Sequence, residues 1–439
     1  MHAFLPPSVP ASRKASPFAD LVDASFDEAA FLWRRWENEL SSLTRNLDEV
    51  WSWTEDRLHG ALDGVRVVGD ELTATVRERL ASGDSDATSV CAALLAASSA
   101  QDAISVLTSA LADAQDGRLR SLLRGLELAG APAALSASAR VLESRGAAHS
   151  AALCRLKAFH RASPGQEMRA AFDSNVPELQ AEAMRAARYL RSQYVEEWIH
   201  AGIDGDDPVV RYAAVESGVA RGVKAAWSAA VSHAGQLDAN AAPYLKLVAL
   251  FGTAEEHEIV YTALRLPALQ RQAIWALAHI GTTRAAQACL SGMQHETLAR
   301  AAGEAYCWIT GADLERDQLA AGEPPTDAPA FEDEDLSADL VPTAEELWPP
   351  PALQAVRQHW RDLEPQLATD VRYVRGRPGS IDTLVTAVET GPMLRRPDLL
   401  LELAAKTHGA YDVEPCAFAS RQRVMMAKGR AALSARGAR

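Results

Sequence analysis

The chain has 439 residues, 48% of them hydrophobic and 23% charged, which is an ordinary globular composition with material for a sizeable core. Its net charge of −14 argues against a nucleic-acid partner, whose binding rests on phosphate neutralisation by a basic surface. The five cysteines, Cys91, Cys154, Cys289, Cys307 and Cys416, form no C-x-x-C pair, and no run approaches the roughly 18 apolar residues of a membrane helix. Reduced thiols, no metal, no cofactor and no membrane partner are therefore expected.

In chain order, residues 1–18 are rich in Pro, Ser and Ala and read as disordered. Their start has no apolar h-region, so no secretory signal is expected and a cytoplasmic location is. Residues 19–85 read as long helices that cap the fold. Residues 86–318 carry a repeat. Residues 319–350 read as an acidic, Pro-rich linker, and residues 351–439 as a small C-terminal helical module. The charge is uneven: Asp317–Val356 holds ten acidic residues and no Lys or Arg. Its cluster Glu332-Asp333-Glu334-Asp335 lacks the glycine and alternating ligands of a calcium loop and reads as solvated linker, or as a lure for a basic partner.

The repeat is the strongest signal. A helix-ending slot recurs at Ala100, Gly130, Arg161, Arg191, Gly222, Gly252, Gly281 and Gly311, in steps of 30, 31, 30, 31, 30, 29 and 30 residues. Such a period predicts a solenoid of about eight helix pairs. Small or apolar residues stand eight and seven places before the slot, such as Ala214-Val215 and Ala273-Ile274. Glycine at a slot suits a helix C-cap with positive φ. Pro177, Pro208 and Pro267 stand 14 places before their slots, where helices tolerate proline as they begin.

The segment Asp206-Asp207-Pro208-Val209-Val210-Arg211, followed by Ala213-Ala214, resembles the bacterial HEAT repeat that also occurs in phycobilin-lyase-type proteins. A second resemblance joins FLWRRWENEL and LDEVWSWTEDRLHGALDGVRVVGDE near the start to YVRGRPGSIDTLVTAVETGPMLRRPDLLLELAAK near the end. Together with the repeats, these are similar to an uncharacterised bacterial HEAT-repeat family found beside type VI secretion components. Gly376-Arg377-Pro378 and Gly391 with Arg395-Arg396 match well. The resemblance implies an all-α scaffold with a protein partner: a secreted effector or spike component if it is an adaptor or chaperone, a toxin if it is an immunity protein.

Candidate chemistry is sparse. His257-Glu258 and His295-Glu296 resemble the pairs with which HEAT-like hydroxylases hold di-iron, but they fall five and fourteen residues after their slots and would not converge. A HEAT-like DNA glycosylase needs a cationic groove, which the charge balance opposes. A lyase rests on the shared repeat alone. No P-loop, G-x-S-x-G or G-x-G-x-x-G occurs. The expected activity is therefore binding, not catalysis. Candidate partner contacts are Trp33 and Trp36, three apart on one helix face, Trp198 and Trp227 on second helices, which line the inner side in HEAT proteins, and Arg395-Arg396 near a helix start. Each has a plainer reading, as cap, core or solvated face.

Overall fold

The computed structural model describes residues 19–82, 84–162, 165–190, 194–322 and 347–437. The acidic cluster 332–335, most of the expected linker and slot Arg191 lie outside them. The described chain is overwhelmingly α-helical, with one two-stranded hairpin. It divides into two compact units. The first holds residues up to Glu37 with Trp51–Arg145, and the second holds Asn38–Val50 with Gly146–Arg439. The first two repeats thus belong to one unit and the other six to the second, together with the C-terminal segment.

The chain opens with α1 (Ala19–Glu39) and α2 (Leu47–Val50), the latter in the second unit. In the first unit a π-helical turn, Trp51–Glu55, leads into α3 (Asp56–Arg66) and α4 (Leu72–Ser82). Two helix pairs follow: α5 (Ser85–Ala97) with α6 (Gln101–Asp113), and α7 (Asp116–Ala129) with α8 (Pro132–Glu143). Asp84 starts α5 by accepting the Ala87 N–H at 2.7 Å, and Pro132 sits in the first turn of α8, where a missing N–H costs nothing. The first helices α5 and α7 pack on each other, as do α6 and α8. Trp33 and Trp36 are 1% and 0% exposed, so they are not surface anchors. Their rings meet edge to face at 6.1 Å. Trp36 also donates to Glu55 Oε2 at 3.0 Å and lies under the Arg124 guanidinium. An apolar three-residue spacing marks a buried stripe as readily as an exposed one, and here burial prevails.

The second unit continues with α9 (Ala147–His160) and α10 (Gln166–Phe172), α11 (Pro177–Ala187) and α12 (Val195–Ile203), α13 (Pro208–Ala220) and α14 (Lys224–Gln236), α15 (Ala242–Phe251) and α16 (Glu258–Ala263), α17 (Gln270–Ile280) and α18 (Thr283–Gly292), then α19 (Glu296–Thr310). Among the described residues, the next helix after the eighth first helix is α20 (Leu353–Leu363). This α20 packs on α18, and its His359 and Trp360 meet Tyr306 of α19. The Asp-Pro-Val-Val-Arg motif is a helix start. Asp207 accepts the Val209 and Val210 N–H groups, while Arg211 ties down the carbonyls of Gly205 and Asp206. Ala214, Val215, Ala273 and Ile274 are buried where the period puts them.

The slots end first helices, but not all in one way. Gly222, Gly281 and Gly311 have φ of +77°, +67° and +77°. Gly130 and Gly252 have φ of −63° and −75°, so the expected left-handed cap is absent there. The chain instead turns extended, close over the Leu126 and Val248 carbonyls. Arg161, without a glycine's freedom, takes φ +53°.

After α20 come β1 (Tyr373–Val374) and β2 (Arg377–Pro378), antiparallel, then α21 (Ile381–Thr390), α22 (Arg396–Lys406) and α23 (Ala419–Gly437). This C-terminal segment is packed on the repeats of its own unit. Tyr373 N–H bonds Gly281 O at 2.8 Å, Arg375 N–H bonds Trp308 O at 2.6 Å, and Gly376 N–H bonds Ile309 O at 3.0 Å. The Gly-Arg-Pro stretch is thus a hairpin seated on the ends of α17 and α19.

Candidate functional site: an arginine cleft beside a buried ionic clasp

The C-terminal segment runs back along the first helices, from α19 to α9. Halfway, α22 lays its acidic positions against residues that recur at one repeat register. Glu216, Lys246 and Trp275 each stand six residues before their slot, on α13, α15 and α17. Asp398 accepts from Trp275 Nε1 at 2.9 Å, meets His279 Nε2 at 3.1 Å and pairs with Lys246 Nζ at 3.2 Å. Burial alone would raise the Asp398 carboxyl, but His279, Lys246 and Trp275 hold it well below the usual carboxylate range. Burial pushes His279 down, so its ring is neutral at pH 7. Burial would likewise lower Lys246, yet Asp398 and Glu216 raise it. Glu402, one turn on, is clamped by Arg372 and Lys406.

Arg395 and Arg396 are both 0% exposed, which rules out a solvated face and a surface contact. Arg395 forks onto Glu304 and stacks 3.4 Å over the Trp275 ring. Arg396 donates to Val388 O and to Gln422 Oε1, and burial lowers it to about 10. A partly apolar helix start conceals these charges from sequence reasoning, because their side-chain partners, Glu304 and Gln422, lie 91 and 26 residues away in the chain.

Further back, the segment stands off the repeats. A cleft of about 720 Å³ opens between α9, α11 and α13 on one side and the end of α22 with the loop after it on the other. Three successive first helices end on arginine at this cleft: Arg161, Arg188 and Arg221 are their C-cap residues. Carbonyls at helix C-termini attract cations, which accounts for their placement. Arg161 is also fully paired. It forks onto Asp412 at 3.0 and 3.2 Å, reaches Glu414 at 3.1 Å and lies 3.6 Å over the Tyr189 ring. Burial lowers Arg161, but Tyr189 and the two carboxylates raise it overall.

The other two arginines hydrogen-bond to carbonyls, and Arg188 also lies 5.3 Å from the Tyr189 ring centre. Arg221 donates to Leu190 O at 2.6 Å and Ala187 O at 3.3 Å, and Arg188 to Leu400 O at 3.3 Å. The Nε–H of each is buried with no acceptor, and among the described residues neither has a carboxylate partner. Burial depresses Arg221, and the more distant Glu196 offsets only part of that. Tyr189, raised by burial, stays a neutral phenol in the cleft wall.

The remaining sequence candidates do not join the cleft. Trp198 is half-buried and stacks on Phe172 at 4.1 Å, between neighbouring second helices. Trp227, also half-buried, donates to Glu256 Oε1 at 3.2 Å. His257 and His295 are N-caps of α16 and α19, and Glu258 is held by Arg284. Among the described residues no group of three or more His, Cys, Asp and Glu stands ready for a metal. Burial raises the thiols of Cys91 and Cys154 to about 12, and those of Cys289 and Cys307 also go up, so none of the four is a thiolate nucleophile at pH 7. No helix is long and apolar enough to cross a membrane among the described residues.

Sequence reasoning missed the cleft although Arg161 stood at a slot. Arg161, Arg188 and Arg221 are spaced by 27 and 33 residues, which blurs them out of a 30-residue period. The available signal was an arginine at or just before the end of three consecutive first helices, in the slot itself only at Arg161.

No family model matches this chain, and no curated protein matches it. Among solved structures, the chain is similar to an engineered protein from a structural genomics consortium, at 13% identity and a TM-score of 0.26, over 87% of this chain and 99% of that one.

Proposed function

We propose that this chain is a non-catalytic binding protein whose repeats present the arginine cleft to a protein partner. The observation that carries the reading is the pair Arg188 and Arg221: two guanidiniums lining one cleft, each with a buried Nε–H and no carboxylate among the described residues. A protein that binds nothing there gains little from leaving such donors unmet, since a buried donor without an acceptor costs free energy. The cleft wall supports recognition better than chemistry. Its three arginines are donors only, burial raises its phenol, its one carboxylate, Asp412, is engaged by Arg161, and a single imidazole, His408, completes its polar lining.

The partner class rests on the sequence resemblance: a type VI secretion effector or spike component carried by an adaptor, the alternative being a toxin blocked by an immunity protein. The tagged full-length chain, purified from the cells that make it, should elute with one protein near 1:1 stoichiometry. Expressed alone, an effector cargo would leave its own host unharmed, whereas a toxin would kill it unless this chain is co-expressed. A chain that elutes free of partner from every growth stage, and turns over a substrate instead, sinks the reading.

A further inference from the structure

The cleft's own wall shows which ligand group its arginines accept. Arg161, the first of the three C-cap arginines, is met by Asp412 and Glu414, two carboxylates one residue apart on the loop after α22. Asp412 presents both oxygens to the guanidinium, the planar fork-to-fork geometry that arginine makes with carboxylates. Arg188 and Arg221 stand on the next two first helices, about 8–10 Å apart by ordinary helix packing. They lack what Arg161 has. Both residues line a cleft of about 720 Å³, a volume within the usual range for ligand sites.

From this we infer that the cleft binds an acidic peptide segment of the partner, whose side-chain carboxylates repeat on Arg188 and Arg221 the pairing that Asp412 and Glu414 make with Arg161. An Asp-x-Glu spacing can serve it: alternate side chains of an extended strand point the same way about 6.6 Å apart, and the reach of the Asp, Glu and Arg side chains covers the rest of the distance between adjacent helices. Tyr189, already covered by Arg161, supplies an apolar wall for the residue between. The inference rests on the binding-protein reading and specifies what that reading leaves open. It also places a basic recognition point on a chain of net charge −14, so the partner's acidic segment is steered to one place and repelled elsewhere.

The test uses the full chain and a fluorescein-labelled decapeptide carrying two Asp-Val-Glu triplets, read by anisotropy. The acidic peptide should bind at least about tenfold more tightly than its Asn-Val-Gln counterpart, and should weaken as salt rises. Ala162→Glu places a carboxylate on the exposed lip of the cleft and removes no contact of Arg188 or Arg221. It should cost about tenfold or more in affinity with an unchanged melting curve, and Arg188→Gln should do the same. Arg185→Gln, on the exposed side of α11 and paired with Glu182, should change nothing.

Equal binding of the acidic and amide peptides overturns the inference. So does inorganic pyrophosphate that binds with the same variant dependence while the acidic peptide does not, since that assigns the cleft to phosphates. The two readings fail separately. If Ala162→Glu still elutes with the native partner at 1:1, the cleft assignment falls and the binding-protein reading stands.

Discussion

Two regions of the second unit face the same C-terminal segment and treat it differently. Where first helices end on glycine, at Gly281 and Gly311, the segment closes down until backbone touches backbone. A Cβ on Gly281 would lie 2.4 Å from Tyr373 O, and one on Gly311 would lie 2.7 Å from Arg375 O. Where first helices end on arginine, at Arg161, Arg188 and Arg221, the side chains hold the segment away and leave the cleft. A glycine slot alone does not seat the segment, since Gly222 follows Arg221 with φ +77° and has nothing within 4 Å of its Cβ position; what differs between the two regions is whether arginine side chains stand at the helix ends. Between the two regions, the Asp398 and Glu402 clasp keeps α22 in place. Buried arginines take both roles here: Arg395 with Glu304 and Arg396 with Val388 O and Gln422 fasten the fold, whereas Arg188 and Arg221 line the cleft with no carboxylate among the described residues.

That contrast can be broken most severely at the clasp. Arg395→Met strands Glu304 without its guanidinium, and losing one member of a buried ion pair costs about 3–5 kcal/mol. Denaturant unfolding should show it, and adding Glu304→Leu should recover part of the loss. A variant as stable as the wild type would mean that the Arg395–Glu304 pair beside the clasp is ornamental.

The glycine-ended region comes next. Gly281→Ala meets both a left-handed φ of +67° and the Tyr373 carbonyl, and should cost at least about 2 kcal/mol in a thermal melt. Gly222→Ala, with φ +77° but nothing within 4 Å, should cost less, about 1–2 kcal/mol. Equal losses would show that conformation alone, and not the seating of the hairpin, selects glycine at Gly281.

The clasp also has a pH signature. Asp398 and His279 both have folded pKa values below their unfolded ones, which are about 3.9 and 6.5. For each, the unfolded state takes up a proton that the folded state refuses, so the stability is fully present above the unfolded value and is lost as pH falls. Melting temperature should hold steady above about pH 6.5, decline as pH falls below about 6.5 with His279, and fall further below about pH 4 with Asp398. His279→Gln should flatten the upper part of that decline. A wild-type profile that is flat from pH 7 to 4 would contradict a neutral, buried His279.

The smallest effect is expected in the cleft. Burial disfavours the Arg221 cation, so Arg221→Met should alter stability by no more than about 1 kcal/mol in either direction, despite losing two carbonyl contacts. A loss as large as that of Arg395→Met would make Arg221 a second structural clasp and remove the ground for treating the cleft as a binding site.

By itself the sequence determined the periodic part of this protein. Helix ends near the slots, the buried Ala214, Val215, Ala273 and Ile274, and the Asp207 helix start all follow from residues within one repeat of each other, where spacing is a reliable guide to shared faces. Tertiary structure alone decided the rest. Arg395 finds Glu304 across 91 residues, and Asp398 finds His279 across 119. Arg161 finds Asp412 across 251. A periodic pattern carries no information about a non-repeating segment that folds back over it. Whether a charge near a helix end meets water, a carboxylate or only carbonyls is set by that return path, because the energy of a charge depends on what surrounds it in space and not on its neighbours in the chain.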